Sequence, residues 1–176
     1  MAYKTMIELI RFLDENQFKV FTVTGGGVDF VREALSQVYG IPHEQIIGSS
    51  IKYQYVNRSG INSTILREPE LNSNNNYDGK PGNIQLHIGK VPVLAAGNTN
   101  GDAEILKYTY DNNNKPGKSL EIVILHDDCI REYCYVRQPD SERVLLEAEM
   151  SNWLVVSMKN DFREIYPEKE AERLTE

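Results

Sequence analysis

No stretch of this 176-residue chain approaches the ~20 consecutive apolar residues needed to cross a bilayer as a helix. Basic residues are outnumbered: 19 Lys and Arg stand against 26 Asp and Glu, for a net charge of −7. That balance argues against non-specific binding to nucleic acid or to an anionic membrane. Residues Met1 to Asp14 carry Lys4, Glu8 and Arg11 inside an apolar pattern, with no small-residue cleavage site following. This does not fit an export signal, so the chain as it stands reads as cytoplasmic. Cysteine is scarce, and the spacing of Cys129 and Cys134 matches neither a zinc ribbon nor a thioredoxin-like pair. They read as two reduced core thiols. The three histidines, His43, His87 and His126, lack zinc-type spacing.

What is present is enough apolar residue, 40%, for one soluble globular domain with a real core. Met6, Leu9, Ile10 and Leu13 recur at helical spacing and predict an opening amphipathic helix. Short apolar runs at Phe18–Thr24, Val91–Gly97, Leu120–Leu125 and Trp153–Ser157 read as strands. Helical segments alternate with them at Asp29–Tyr39, from Pro81 to about Lys90, at Gly101–Thr109 and at Ser141–Met150. Ile46–Val56 and Ile61–Arg67 flank Asn57-Arg58-Ser59-Gly60, which suggests a hairpin. Leu71–Asp78 and Asp111–Lys118 are Asn-rich and read as loops. The pattern predicts an α/β sandwich with a mostly parallel sheet. The domain runs over 1–166, and 167–176 forms a charged tail.

In such sheets ligands gather beyond the carboxyl ends of the strands. Polar residues stand there: Thr24 after the first run, Asn98 and Asp102 after the second, His126, Asp127 and Asp128 after the third. These residue types also serve as ordinary turn and helix-cap residues, so position alone leaves both readings open. Common nucleotide motifs fail. Gly25-Gly26-Gly27 lacks the third glycine of a dinucleotide fingerprint. A P-loop ending at Gly79-Lys80 would need glycine where Asn74 stands, and one ending at Gly89-Lys90 would need it at Ile84.

Three segments together resemble haloacid-dehalogenase-like (HAD) hydrolases of the phosphoserine-phosphatase-like branch. Phe18 through Val31, with Thr24-Gly25-Gly26-Gly27 at its centre, resembles the second motif of that superfamily. Gly79-Lys80-Pro81 resembles the third, and Gly97-Asn98-Thr99-Asn100-Gly101-Asp102 the fourth. His126-Asp127-Asp128 through Arg131-Glu132-Tyr133 is similar to the C-terminal half of some of these phosphatases. The resemblance implies a Rossmann-like three-layer sandwich carrying the β-hairpin. It implies that Thr24, Gly25 and Gly26 hold a phosphoryl group through hydroxyl and backbone N–H donors. It implies that Lys80 neutralises charge on that group. It implies that Asp102 and Asn98 bind Mg²⁺, a hard cation preferring oxygen ligands.

The first motif of the superfamily, Asp-x-Asp, is missing. The aspartates are Asp14, Asp29, Asp78, Asp102, Asp111, Asp127, Asp128, Asp140 and Asp161, and no two stand two apart. The nucleophile and the general acid–base are therefore absent, together with the central strand that carries them and any cap. Asp127 and Asp128 end a different strand and would attack along a different line. The expectation is the C-terminal part of a phosphomonoester hydrolase that acts on a small phosphorylated molecule and is inactive alone. It would be completed by an N-terminal segment or by self-association. The alternative is a non-catalytic module that binds phosphate or a phosphorylated ligand.

Overall fold

The computed structural model describes residues 2–57, 62–113, 117–135 and 139–167. Its elements follow one another as α1 (Lys4–Glu15), β1 (Thr22–Gly27), α2 (Val28–Tyr39), β2 (Ile46–Val56), β3 (Thr64–Ser73) and α3 (Gly79–His87). Then come β4 (Leu94–Gly97), α4 (Ala103–Asn112), β5 (Leu120–Leu125), α5 (Pro139–Ser151), β6 (Leu154–Ser157) and a short α6 (Met158–Asp161). Single 3₁₀ turns precede β2 and α4.

The strands form two separate three-stranded sheets, ordered β1-β2-β3 and β4-β5-β6. The β1/β2, β4/β5 and β5/β6 pairings are parallel, and only the β2/β3 hairpin is antiparallel. The mixed α/β architecture with a mostly parallel sheet is thus as the sequence predicts. Among the described residues, β1 and β4 are each hydrogen-bonded to a strand on one side, and no strand joins them.

Local chemistry explains most boundaries. Gly40 ends α2 in the left-handed region at φ 70°, where a side chain would be strained. β5 reads Leu120-Glu121-Ile122-Val123-Ile124-Leu125, apolar apart from buried Glu121, because it lies between two parallel neighbours. Three differences from the sequence reading have physical causes. The first strand starts later than expected, at Thr22 where its pairing with β2 begins, and runs on through Gly25-Gly26-Gly27. The second hairpin strand extends to Ser73, because its antiparallel ladder with β2 reaches the Ser50–Ser73 pair and supplies order that the polar Asn-rich sequence does not signal. The cysteines are not reduced thiols. The loop after β5 turns sharply enough to bring their Cα atoms within 4.7 Å, and Cys129 and Cys134 form a disulfide. The hairpin turn over 58–61 and most of the charged tail, 168–176, lie outside the described residues.

Two main cores lie on either side of the break. The larger contains Ile84, Ala95, Leu106, Val123, Val144 and Trp153 among its buried residues. The smaller consists of Val31, Ile41 and Ile46, with Ile10, Val20, Leu35 and Tyr39 packed against it. A third cluster, Met158, Phe162 and Ile165, seats the C-terminal segment against Tyr3 and Ile124.

Candidate functional site

The carboxyl ends of β1 and β4 meet at the start of α3. The link to β1 is built by a run of amides. Asn75 is fully buried, and its Nδ2 donates to the Thr24 carbonyl at 2.7 Å and to that of Ile47 at 3.3 Å. Its Oδ1 accepts from Asn83 Nδ2 at 2.9 Å, and its backbone N–H donates to Ser49 Oγ at 2.9 Å. Ser49 in turn donates to the Gly25 carbonyl at 2.8 Å. A carboxamide suits this position because it donates and accepts without carrying a charge into a buried site. Gly25 lies close under the exposed Asn76 side chain: a Cβ there would sit 1.9 Å from Asn76 Oδ1, so that side chain would have to shift.

The link to β4 is ionic. Lys80, on the first turn of α3, is 7% exposed and donates from Nζ to Asp102 Oδ1 at 2.5 Å. The other carboxylate oxygen, Oδ2, accepts from the Asn98 N–H at 3.0 Å, the Thr99 N–H at 3.2 Å and Thr99 Oγ1 at 3.3 Å. Thr99 and Asp102 thereby form a reciprocal capping box around the turn that leads into α4. Gly97 lets this loop fold back, since a Cβ on it would sit 2.4 Å from the Asp102 Cβ. Asp102 is therefore both a cap and the counter-charge of a buried lysine, and the two readings left open by the sequence coexist in one residue.

Thr24, Gly25 and Gly26 reach this corner through their backbone. The Gly26 N–H donates to Thr24 Oγ1 at 3.2 Å, which occupies an acceptor lone pair of the hydroxyl and leaves its own proton to donate elsewhere. The glycine amides do not open a helix: α2 begins at Val28 with Gly27 as its N-cap. The described geometry thus brings Lys80, Asp102 and Asn98 into one hydrogen-bonded group. It attaches Thr24 and Gly25 to the same helix start through Asn75 and Asn76.

A second cluster adjoins the first and shows roles that sequence reasoning missed. Buried His126, just past β5, has Nδ1 2.9 Å from Glu132 Oε2, and the Glu132 side chain is itself fully enclosed. Tyr3 Oη donates to the same oxygen at 3.0 Å. Burial, reinforced by that hydrogen bond, raises the Tyr3 phenol far above its usual range. With Nδ1–H turned to Glu132, Nε2 is left as the acceptor toward Asn98 Nδ2 at 3.4 Å. Tyr135 stacks on the imidazole with ring centroids 4.4 Å apart, and its hydroxyl is hydrogen-bonded to Asn98 Nδ2. Both neighbours claim the Asn98 nitrogen, so only its carbonyl oxygen remains to offer a ligand. The sequence signal was the run of His, Glu and Tyr after an apolar strand, but nothing in it gave the pairing.

Asp127 and Asp128 are structural. Asp127 accepts from Ser157 Oγ at 2.6 Å and from the Lys159 N–H at 3.0 Å. Burial raises its pKa, but these donors outweigh that and hold the carboxyl below its ordinary range. Asp128 grips Arg131, whose guanidinium donates to the carbonyls of Met158, Lys159, Phe162 and Arg163 and pins the C-terminal segment.

The donor set does not by itself fit Mg²⁺. The ion demands near-octahedral oxygen coordination, commonly with one or two carboxylates. Here one carboxylate, already accepting four hydrogen bonds, stands beside one neutral amide oxygen. Among the described residues no group of three or more His, Cys, Asp or Glu is placed to hold a metal. Nor is any helix among them long and apolar enough to cross a membrane.

No family model and no curated protein matches the sequence. Among solved structures, the chain is similar to a phosphoserine phosphohydrolase-like protein from Francisella tularensis subsp. tularensis SCHU S4, with a TM-score of 0.52 and 16% identity. The superposition covers 88% of this chain but 58% of that one, so this chain spans less than two thirds of its length. At that identity the likeness establishes the fold alone, a Rossmann-like α/β core with a mostly parallel sheet.

Proposed function

We propose that this chain is the phosphate-holding part of a HAD-like phosphomonoester hydrolase and does not carry its own nucleophile. The observation that supports this best is the buried Lys80–Asp102 pair, set beside Asn98 at the carboxyl end of β4, an edge strand of its sheet. A buried ammonium is costly without an anion. Asp102 supplies one, and a phosphoryl group entering the same corner would supply a second. Lys80 would then neutralise charge collecting on the transferring group, where a low-dielectric setting makes that interaction strong. The Thr24 hydroxyl, its lone pair already engaged by Gly26, would donate to a phosphoryl oxygen. The attacking carboxylate and its acid–base partner would come from polypeptide outside this sequence, as would the further carboxylates that Mg²⁺ needs beside Asp102 and Asn98.

The substrate class is a small phosphorylated molecule. The expected outcome is no Mg²⁺-dependent hydrolysis of p-nitrophenyl phosphate by the chain alone, and hydrolysis when an N-terminal segment bearing Asp-x-Asp is joined to it. Turnover by the chain alone that is abolished by Lys80→Ala would overturn the assignment. One observation favours a second reading, a binding module without turnover: every carboxylate oxygen near Lys80 already has protein partners. In that case inorganic phosphate would raise the melting temperature and no completed form would hydrolyse the ester.

A further inference from the structure

The loop that leaves β5 is closed on itself. Cys129 and Cys134 bridge it at a sequence separation of 5. So short a loop removes less freedom from the unfolded chain than a bridge between distant segments does. The bond therefore shapes its own loop more than it staples the domain. The loop carries two arms. One is His126 with Glu132, and it is anchored without the bridge. Tyr3 Oη donates to Glu132, the Glu132 N–H donates to the Asp128 carbonyl at 3.1 Å, and Asp128 holds Arg131 against the C-terminal segment. The other arm is Tyr135, the residue after Cys134. Its N–H donates to the His126 carbonyl at 3.1 Å, its ring stacks on the imidazole, and its hydroxyl accepts from Asn98 Nδ2. The contact of His126 Nε2 with the same nitrogen is longer, at 3.4 Å. Tyr135 is thus the main hold on the Asn98 carboxamide, and the bridge fixes the backbone immediately before it.

We propose that the Cys129–Cys134 bridge is a reversible redox clamp that sets, through Tyr135, whether Asn98 is held in place. The bridge is open to attack: Cys129 is exposed and Cys134 half-buried, and Ile130 and Tyr133 between them are also exposed. Accessible disulfides are the labile and regulatory kind. The reductant is a dithiol. One of its thiolates attacks Cys129 Sγ, forms a mixed disulfide and expels the Cys134 thiolate. Its second thiolate then displaces Cys129. Two electrons pass to the cysteine pair, which takes up two protons as thiols, and the reductant leaves as its own disulfide. Without the bridge, Tyr135 is free to leave the imidazole. Asn98 Nδ2 then loses its main acceptor and the carboxamide can turn, so its carbonyl oxygen is no longer the face offered to a ligand. The His126–Glu132 arm, anchored by Tyr3 and Arg131, stays. As control of a ligand-holding site this rests on the reading of Asn98 under Proposed function, whereas the release of Asn98 itself does not.

The test uses the full chain, oxidised and then treated with dithiothreitol without denaturant. Alkylation and mass spectrometry count the thiols. Nuclear magnetic resonance follows solvent exchange of the Asn98 side-chain NH₂ and the Nδ1 proton of His126. Both cysteines are expected to become alkylatable while circular dichroism stays unchanged, and oxidised glutathione is expected to restore the bridge. Reduction should speed exchange of the Asn98 NH₂ about tenfold or more, a local opening, and leave the His126 signal in place. Cys129→Ser with Cys134→Ser should behave as the reduced chain in either buffer. Tyr135→Phe should speed Asn98 exchange in the oxidised chain, and reduction should add little to it. The control is the oxidised chain in urea sufficient to lower its melting temperature as far as reduction does; there Asn98 should stay protected. Reduced wild type carries the test even if a variant fails to fold.

Thiols that appear only when the chain unfolds would make the bridge a structural one and overturn the clamp. So would unchanged Asn98 exchange in the reduced chain, or equal acceleration in the urea control, which would reduce the bridge to a general staple. A titration with inorganic phosphate separates the clamp from the site it serves. Phosphate is expected to slow Asn98 exchange further in the oxidised chain and to do less in the reduced one. Redox-dependent exchange with no response to phosphate in either form would leave the clamp standing and count against the phosphate-holding reading.

Discussion

The two halves of the molecule differ in how far each has closed its own core. In the β4–β6 half, three parallel strands are covered by α3, α4 and α5, and Leu106, Val123 and Val144 are essentially inaccessible to solvent. The β1–β3 half rests on Val31, Ile41 and Ile46, while β3 and the distal part of β2 are largely exposed. Apolar area removed from water is the main source of stability, at roughly 25 cal/mol per Å². The first half therefore carries the fold, and the second is held to it. Polar ties run through the α3 region, Lys80 to Asp102 on one side and Asn75 to Thr24 and Ile47 on the other, beside apolar contacts of Val23 with the larger core and of Tyr3 with the C-terminal cluster. α3 is the shared element, reaching β1 through Asn83, which donates to Asn75, and the turn after β4 through Lys80. A missing strand costs a sheet more than its own contacts, because it also leaves the inner faces of its neighbours uncovered.

This asymmetry can be broken most severely at the ionic tie. Lys80→Met leaves a buried carboxylate without its counter-charge and should cost about 3–5 kcal/mol in urea unfolding. Lys80→Met with Asp102→Asn removes both charges and should recover most of that loss. If the single variant is no less stable than the double, the pair is not what joins the halves. Next, Leu106→Ala should cost about 2–5 kcal/mol because it opens a void in a closed core. Leu13→Ala, on the uncovered stripe of α1, should cost about 1 kcal/mol or less. Equal losses in calorimetry would show that the two halves are equally packed. Asn75→Ala should cost about 1–3 kcal/mol by leaving the Thr24 and Ile47 carbonyls short of a donor. Its effect should appear in hydrogen exchange at β1 and β2 before it appears at β5.

The smallest expected effect is on pH dependence. The Asp127 carboxyl is held below its ordinary range in the folded chain despite burial, by Ser157 and the Lys159 N–H. Its contribution is therefore fully present above the unfolded value of about 4, and fades as pH falls through the lowered folded value. Melting temperature followed from about pH 6 to about pH 3 should decline in the wild type. It should decline less steeply in Asp127→Asn, where that titration is gone. Identical slopes would remove Asp127 from the acid response.

Much of the larger half was legible in the sequence. Leu120–Leu125 is apolar but for Glu121 because β5 has a strand on both sides, and the strand matches the run residue for residue. The smaller half was read less well. Phe18–Val20 has the composition of a strand, but the chain pairs with β2 only from Thr22, and its glycines continue the strand. Propensity describes the residues, whereas pairing depends on what lies beside them. The Asn-rich stretch before α3 has the composition of a polar loop, yet it contains the fully buried Asn75. An amide enters a core only where carbonyls from distant strands converge on it, and that convergence has no local signature.

The sequence by itself determined the alternation of strands and helices, the polar residues waiting at strand ends, and the absence of any aspartate pair spaced for aspartyl-phosphate chemistry. These follow from periodicity and residue identity, which are local. Only the tertiary structure decided that Asp102 answers Lys80, that His126 turns to Glu132, that the cysteines join, and that the sheet parts between β1 and β4. Each of these is a contact between segments far apart in the chain or around a turn of undetermined shape. Such contacts are fixed by where the backbone goes, not by what any one residue prefers.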